Sequence, residues 1–550
     1  MTRRLNRIAK LKGLEMPRRS FIRCMVTPIL TWSGAWSRPP RNAIYQLTTA
    51  IERCLYGKLA PGRNRMVRLA EFSGASMDIG FLLNWEAVRH ATWRASHPLH
   101  HRSTQPTPRM LEVCEEWGWH ALSATQFETK MGVLDLSWDG AATVRAVAEQ
   151  AWQAKLLERD PRVVKARGEQ AVTGRPVLSA HGVFAKQPGH SLRRINTALS
   201  SDQDGAMLKH TALNPSHQSY CKELHERYTR DGEGALNCMC GRPAPTKRHL
   251  TWVCENTQDL RGDLGPPQDT LEGEVLVRQV PWHRSPDRPG PWTTACKIHE
   301  ELGDDFNIDL AASDGGAERD ATGTWRGGWG ICLMSGLQSR TFGGPMLGLD
   351  GTAMAAECWA AIVILCVLAL RPQRQAPASE GPACPAGPAP LNREEPPQQP
   401  LLPQPSSSPP EVRTSSAVPL AIDNMNVVRS LQRLRHGSTR LGSYRASCWR
   451  TALEATALAP SEAHWIPSHG KRPEWQAPAA GDTERWREAN DLADKAATEG
   501  LNEAKETART CAQEWSAATT WANRALGLRM AVVERYYQHI GMVRHDRDLC

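Results

Sequence analysis

Four acidic residues in the second half of the chain each lie beside an apolar segment: Asp314, Glu357, Asp423 and Asp494. The segments around Asp314 and Asp423 are typical of strands, and those around Glu357 and Asp494 are typical of helices. Strand ends and helices can converge on one point of an α/β sheet. Clustered carboxylates repel each other and are costly to desolvate, so they usually persist only around hard divalent cations. The four acids therefore predict a two-metal phosphodiesterase site.

Each of these residues also has an ordinary structural interpretation. An Asp-Gly pair such as that at Asp314 is common in turns, and the helix dipole could favour Glu357 near a helix N-terminus. Asp423 could cap the helix that follows it, and Asp494 could be a solvated helix carboxylate. A histidine between the last two elements, His469, could be a plain loop residue. One shared site explains these residues in this order better than five coincidences do.

A second group of residues has the chemistry of a zinc site: Cys238, Cys240, His249 and Cys254. The glycine after Cys240 and the four-residue gap between His249 and Cys254 suit a small zinc-binding unit. The first gap is Cys-x-Cys where Cys-x-x-Cys is usual, and Cys221 is an alternative ligand. Buried thiols beside a core histidine are the alternative to a metal site.

Positive charge is concentrated at the start of the chain. The 550-residue sequence has a formal net charge of +9, yet residues 1–70 contain fifteen Lys and Arg against two Glu. Such a segment can bind the phosphates of a nucleic acid, and a solvated basic arm is the alternative. The length predicts several domains, at least one of them with a sizeable core.

Cysteine content and apolar segments bear on the compartment. Fifteen cysteines in a chain of this length do not make a disulfide scaffold, and no signal-peptide pattern opens the sequence, although its Arg-rich start has the composition of an organelle transit peptide. The longest apolar run, Ala353–Leu370, contains Glu357, and a core helix packed on a sheet explains it better than a membrane span. We expect reduced thiols, no membrane span and an intracellular protein, nuclear or cytoplasmic.

Composition and periodicity divide the chain into five segments. Helical spacing of apolar residues is clear at Ala43–Leu55, Met110–Trp117 and Ala141–Leu157. Residues 371–417 are dominated by Pro, Ser, Ala and Gln, which predicts a disordered insertion. The segments are a basic, mainly helical region at 1–215, a Cys/His unit at 216–262, a linker at 263–303, an α/β domain at 304–500 and a helical tail at 501–550.

The order of elements within the α/β domain follows from its apolar runs and turn residues. One strand ends near Asp314, and a Gly-rich turn covers 315–328. The later strands are predicted at 328–334, 340–349, 418–423 and 463–467, and the helices at 353–370, 425–434, 444–458 and 485–498. Five strands and intervening helices indicate an α/β fold.

The motifs around the four acids occur in this order: Ser313-Asp314-Gly315, Ala355-Ala-Glu357-Cys-Trp-Ala-Ala-Ile, Ala421-Ile-Asp423-Asn, Trp465-Ile-Pro-Ser-His469-Gly and Asn490-x-x-Ala-Asp494. Together they resemble the type 1 ribonuclease H domain. The resemblance implies a ribonuclease H-like mixed five-stranded sheet flanked by helices. It also implies hydrolysis of the RNA strand of an RNA–DNA hybrid.

The same resemblance implies roles for the site residues. Asp314 would contact both of two Mg²⁺ or Mn²⁺ ions, and Glu357 and Asp423 would contact one each. Asp494 would contact the ion that activates water. His469 would lie on a mobile loop and help to transfer protons or release product, a role that suits its pKa.

Telling RNA from DNA requires contact with the 2′-hydroxyl across a wide minor groove, usually through backbone and small polar groups. The candidates for substrate contact are Ser313, Gly315, Gly316, Asn424 and Asn490. Two features depart from the family: the insertion at 371–417, which costs little in loop closure, and the lack of a compact basic helix and loop inside the domain. Binding would then depend on Lys and Arg elsewhere, including the basic N-terminal segment.

The Cys/His pattern resembles the zinc knuckle between the reverse transcriptase and ribonuclease H regions of some non-LTR retrotransposon polyproteins. Residues 27–36 resemble the segment that follows the polymerase core, and the only Asp-Asp pair is Asp304-Asp305. The chain therefore resembles the C-terminal part of such a polyprotein without its polymerase. Two alternatives stay open: a catalytically silent relic that only binds nucleic acid, and another nuclease or polynucleotidyl transferase of the ribonuclease H superfamily. The oligomeric state is open as well.

Overall fold

The computed structural model describes most of the chain, and every structural statement below concerns its described residues. These are residues 2–9, 21–56, 78–96, 105–159, 175–178, 238–242, 248–266, 277–371, 417–435, 445–468, 472–478 and 482–539. Almost all of the predicted insertion at 371–417 lies outside them, as do Cys221 and His469.

The N-terminal region combines helices with one small sheet. Its helices are α1 Thr2–Ala9, α2 Thr27–Thr31, α3 Arg41–Tyr56, α4 Ile79–Ser96, α5 Pro108–Trp117 and α6 Ala141–Arg159. Its strands, β1 His120–Ala121, β2 Gln126–Thr129 and β3 Gly132–Asp135, form an antiparallel sheet. The helices predicted from apolar spacing are confirmed in α3, α5 and α6. The sheet was not predicted, because strands of two to four residues carry too little alternation to be recognised.

Two short strands and two helices precede the main sheet. They are β4 Arg175–Leu178, which pairs antiparallel with β5 Val277–Val280, α7 Gln258–Arg261 and α8 Pro291–Leu302. The predicted linker at 263–303 is therefore wrong over its last part. Ala295, Ile298 and Leu302 lie on one face of α8 and are buried in the core of the α/β unit. Pro and Gly around the helix, with Pro291 at its first position, concealed this apolar spacing.

A mixed five-stranded sheet forms the centre of the α/β unit, as predicted. Its strands are β6 Leu310–Arg319, β7 Trp325–Ser335, β8 Gln338–Pro345, β9 Val418–Ile422 and β10 Ser461–Trp465, in the spatial order β10-β9-β6-β7-β8. The first three strands in that order run parallel, and β7 and β8 are antiparallel to their neighbours. The helices are α9 Ala353–Leu370, α10 Met425–Arg435, α11 Ala446–Leu458 and α12 Thr483–His539.

Alternate residues of the strands face two different cores, as the two-residue period of a strand requires. On one face, Ile331 and Leu333 of β7 pack with α8, α9, α10 and α11. On the other face, Cys332 and Met334 pack against α12. The sheet is therefore covered by helices on both faces.

Helix α9 is the central core element. Among the described residues it is the one helix long and apolar enough to cross a membrane, and 83% of its residues are buried inside the fold. Burial between the sheet and neighbouring helices accounts for its composition, as the sequence predicted. Glu357 is one of its buried residues.

Among the element boundaries that differ from the sequence prediction, two concern elements that carry predicted site residues. Strand β6 does not end at Asp314 but continues to Arg319, so the predicted turn at 315–328 is mostly strand. The turn lies after Arg319, where the Asp320 carboxylate accepts hydrogen bonds from the backbone of Thr322 and Thr324. The predicted helix at 485–498 and tail at 501–550 are one helix over their described length, because a single glycine weakens a helix without ending it.

Candidate metal centres

The sheet register places Asp314 beside Asp423. Ser313 of β6 is paired with Ile422 of β9 in parallel strands. Each acid is the next residue along its own strand direction, so the two carboxylates emerge side by side at the carboxyl end of β9. Trp465 at the end of β10 donates its ring N–H to the carbonyl oxygen of Asp423 at 3.0 Å and holds this backbone in place.

A glycine on β6 brings Glu357 to the same point. A Cβ atom at Gly315 would overlap the backbone of Ala356 and Glu357, so only glycine allows α9 to lie this close to the strand. The N-terminus of α9 is defined by Thr352, whose hydroxyl accepts a hydrogen bond from the Ala355 amide at 3.4 Å. Glu357 consequently lies on the second turn of α9 with its carboxylate directed at the strand end, and it is only 5% exposed.

A second glycine brings Asp494 to the cluster from the opposite face. Asp314 is paired across the sheet with Gly330 of β7. A Cβ atom at Gly330 would overlap the backbone of Ala493 and Ala497, so α12 rests directly on the strand at this position. Asp494 follows Ala493, and its carboxylate lies close enough to Asp314 to raise the pKa of Asp314, although it is not one of the acids whose oxygens all lie within 4.8 Å of one another.

The resulting cluster concentrates negative charge in a buried place. Carboxylate oxygens of Asp314, Glu357 and Asp423 all lie within 4.8 Å of one another. Burial, together with the charge of Asp423, raises the pKa of Asp314 to about 8. Burial and the same neighbour raise the pKa of Glu357 to about 11. Without a cation, these acids are therefore stable in the fold only when some of them hold protons.

The donor set fits a hard divalent cation. All the ligand atoms are carboxylate oxygens, the type that Mg²⁺ and Mn²⁺ prefer. Oε2 of Glu357 is buried and has no hydrogen-bond partner, although a buried acceptor normally has one. The site could therefore hold a metal ion that supplies the missing contact.

The ordinary interpretations of these acids fit the structure less well. Asp314 lies inside a strand rather than in a turn, and no acidic residue lies in the first turn of α9. The residue that caps α10 is Asn424, whose side-chain oxygen accepts from the Asn426 amide at 3.0 Å. Asp494 is partly buried and contacts another acid. The fold itself therefore brings these mutually repelling carboxylates together.

The predicted substrate contacts are placed unequally. Ser313 is fully buried, and Gly315 is covered by α9, so neither residue is accessible to a substrate. Gly316 and Asn424 are partly exposed next to the acids. Asn490 is 4% exposed, and its side-chain oxygen has no hydrogen-bond partner. His469 lies outside the described residues, so its prediction stands untested.

A buried aspartate that the sequence did not single out fixes the start of α9. Asp350 is fully buried and accepts hydrogen bonds from the Gly140 amide at 2.7 Å, the Thr352 hydroxyl at 2.8 Å and the Arg445 guanidinium at 2.7 Å. It thereby joins the N-terminal region to α9 and α11. The Asp350-Gly-Thr pattern before a helix is a recognisable capping signal. Nothing local indicates Gly140, which lies 210 residues away.

The four predicted ligands of the Cys/His unit also come together. Their ligand atoms lie within 4.8 Å of one another, with Cys238 Sγ 3.3 Å from Cys254 Sγ and Cys240 Sγ 3.3 Å from His249 Nε2. Such separations suit tetrahedral coordination with bonds of about 2.0–2.3 Å. Cys240 takes part, so the short Cys-x-Cys gap accommodates both thiols. The cluster could bind a metal ion without Cys221.

Local hydrogen bonds explain how this short segment folds. Gly241 has φ +82°, a conformation suited to glycine, and its amide donates to the carbonyl oxygen of Cys238 at 2.8 Å. The Asn256 side chain donates to the carbonyl oxygen of Met239 at 2.6 Å and ties the two halves of the unit together. Burial raises the pKa of the Cys238 thiol to about 12. A cation would offset that cost by binding the thiolate.

Comparison with known proteins adds no identity to this geometry. No protein-family model matches the chain. A search of curated proteins found no relative of significant similarity. The functional assignment therefore depends on the two clusters and on the motifs around them.

Proposed function

We propose that this protein hydrolyses the RNA strand of RNA–DNA hybrids and that its α/β unit is a ribonuclease H-like domain. The convergence of the Asp314, Glu357 and Asp423 carboxylates from β6, α9 and the end of β9, with Asp494 of α12 beside Asp314, carries the proposal. Their order along the chain is strand, helix, strand, helix, which is also the order of the type 1 ribonuclease H motifs. Structural ion networks rarely gather four acids without a cation among them.

Asp314, Glu357, Asp423 and Asp494 would hold two Mg²⁺ or Mn²⁺ ions. When bound, such ions lower the pKa of a water molecule and stabilise charge on the leaving 3′ oxygen. The residues contribute position: register sets Asp314 and Asp423, and the glycine contacts set Glu357 and Asp494. Both helix layers exclude water from the buried side of the cluster.

Recognition of the hybrid would use groups at the exposed rim of the cluster. Gly316 and Asn424 are the two predicted substrate contacts that are accessible there. Asn490 lies on α12 one turn before Asp494 and has a buried side-chain oxygen without a hydrogen-bond partner. We assign proton transfer or product release to His469 from its motif alone, and phosphate binding to the basic segment 1–70 from its charge.

The Cys/His cluster is proposed to bind one structural Zn²⁺ through three thiolates and His249. Its position before the α/β unit agrees with an origin in the C-terminal part of a non-LTR retrotransposon polyprotein. The exposed residues of this unit then become candidates for nucleic-acid contact.

The test is Mg²⁺-dependent cleavage of an end-labelled RNA–DNA hybrid by the full chain, with single-stranded RNA and both homoduplexes as comparison substrates. Wild type is expected to cut the RNA strand of the hybrid, whereas Asp314→Asn and Asp423→Asn lose cleavage. The matched control is Asp491→Asn, since Asp491 lies on α12 close to Asp494 but is exposed outside the cluster.

Equal cleavage by wild type and both cluster variants would contradict the mechanism. If folded wild type binds the hybrid but never cuts it, the silent relic is the better description. Preferential cutting of a different substrate by the same residues would instead indicate another nuclease of the superfamily.

A further inference from the structure

Helix α12 connects the two metal clusters directly. Near its start, Asp494 joins the carboxylate cluster. Near its end, Arg524 forms an ion pair with Asp263, and Arg535 binds Asp259 through two contacts of 2.6 and 2.7 Å. Arg535 also donates to the carbonyl oxygen of Asn256 at 3.0 Å. One uninterrupted helix of 57 residues therefore carries a residue of one cluster and the support of the other.

Packing fixes the helix at both ends. At the sheet, its backbone lies against Gly328 and Gly330, where no side chain intervenes. Farther along, Ala518 packs with Val280 of β5. Beyond that point the helix contacts α7 and the turn at His249–Val253. Its buried side there is formed by Ala522, Ala525, Leu528, Arg529, Val532 and Tyr536. Exposed ion pairs alone would hold little, but this buried side makes the attachment specific.

The separation of the two clusters follows from helix geometry. Asp494 and Arg524 are thirty residues apart, and Asp494 and Arg535 are forty-one apart. At about 1.5 Å of rise per residue, these intervals correspond to about 45 and 60 Å along the helix. Duplex DNA has about 3.4 Å between successive nucleotides, so the same span corresponds to at least roughly 13–18 base pairs of a hybrid, whose A-like helix rises less per base pair.

The attachment to α12 pairs two acids of the Cys/His unit and leaves two of its arginines exposed. Its acids Asp259 and Asp263 are paired with arginines of α12. Arg242 and Arg248 are exposed next to the metal cluster, and Arg242 lies 3.4 Å from Nδ1 of His249. Among the described residues of the unit, Glu255 is the other exposed acid. The unit thus presents two exposed guanidinium groups, on residues close in the chain to Cys240 and His249, that are suited to phosphates.

We propose that α12 acts as a spacer that sets the substrate length. The Cys/His unit binds the backbone of the same hybrid at least about 13–18 base pairs from the carboxylate cluster, so shorter hybrids engage only one of the two regions. The inference rests on the proposed function for its substrate. It adds a minimum hybrid length for tight binding, and it assigns backbone contacts to Arg242 and Arg248.

The experiment measures binding of hybrids from about 8 to about 25 base pairs to the full chain carrying Asp314→Asn, which cannot cut them. Affinity is expected to rise by about tenfold between about 12 and about 18 base pairs, as the second region becomes reachable. Adding Arg242→Ala and Arg248→Ala removes this step and leaves the affinity of the shortest hybrids unchanged. Arg89→Ala is the control, since Arg89 is an exposed arginine of the N-terminal region.

A smooth rise of affinity with length, or equal weakening of short and long hybrids by the double arginine variant, would overturn the spacer. Cleavage by the chain with intact Asp314 separates this outcome from the proposed function. Cutting of hybrids without any length step refutes the spacer alone. A length step in binding without cutting at any length refutes the hydrolase and keeps the spacer as a binding device.

Discussion

The Cys/His cluster draws all its ligands from residues 238–254, whereas the carboxylate cluster draws Asp314, Glu357 and Asp423 from three elements, with Asp494 of a fourth element beside Asp314. Turn hydrogen bonds within the segment arrange the first cluster. The second is arranged by strand register, two glycine contacts and the docking of helices on opposite faces of a sheet. We therefore expect the first to need a bound metal ion to stay folded, whereas the second exists because the domain has folded.

The two sites should therefore respond to different perturbations. If the Cys/His unit binds a cation, removing it takes away the interaction that holds the four ligands together, so the unit should open. Removing cations from the carboxylates leaves the sheet and both helix layers in place. Substitutions where α9 and α12 pack on the sheet should instead disturb the carboxylate cluster and leave the Cys/His unit folded.

The largest effect is expected for Asp314→Asn. Cleavage of the hybrid should fall by at least about 10³-fold, because the variant loses the acid that touches the most partners in the cluster. In the presence of a chelator the free energy of unfolding at neutral pH should rise by about 1 kcal/mol, because burial raises the pKa of Asp314 to about 8 and its carboxyl must take up a proton on folding, whereas an amide needs none. Activity assays and urea denaturation check the two opposite signs. A variant that is both active and less stable would contradict the assignment of Asp314 to a metal-bound cluster.

An intermediate effect is expected where α12 rests on the sheet. A Cβ atom at Gly500 would overlap the backbone of Gly344, so Gly500→Ala should cost about 1–3 kcal/mol and displace Asp494, with loss of cleavage. Gly527 lies on the same helix with nothing within 4 Å of such an atom. Gly527→Ala should therefore stabilise the protein by about 0.5–1 kcal/mol and leave cleavage unchanged. Thermal unfolding of both variants checks the contrast, and equal shifts of the same sign would refute the close approach.

The smallest and most local effect is expected for Cys254→Ser. Bound zinc should fall from one equivalent to none. In limited proteolysis the protease should then cut within the opened Cys/His unit while the α/β unit stays protected. The control is Cys296→Ser, since Cys296 is an exposed cysteine of α8 outside the cluster. Metal analysis and mapped proteolysis provide the measurements. Retention of zinc by the Cys254 variant would exclude this residue as a ligand.

The α/β unit could be predicted from the sequence in large part. Helix α9 begins and ends at the residues expected, and β9 and α10 differ from prediction by one residue. Their apolar patterns are long or cleanly bounded by turn residues. The stretch 315–328 was misassigned because Gly315 and Gly316 were interpreted as turn residues. Glycine also serves where a helix backbone must touch a strand, and that use has no local signature beyond the glycine itself.

Residue types and spacings were enough to predict the order of the acids and the ligands of the Cys/His unit. Those features are local, because ligand chemistry and short spacings depend on residues close together in the chain. The folded protein was needed to show that Asp314 meets Asp423 through strand register, that Gly330 allows α12 to approach the strand, and that one helix runs from the carboxylates to the Cys/His unit. These relations join residues far apart in the chain, and they follow from the packing of whole elements.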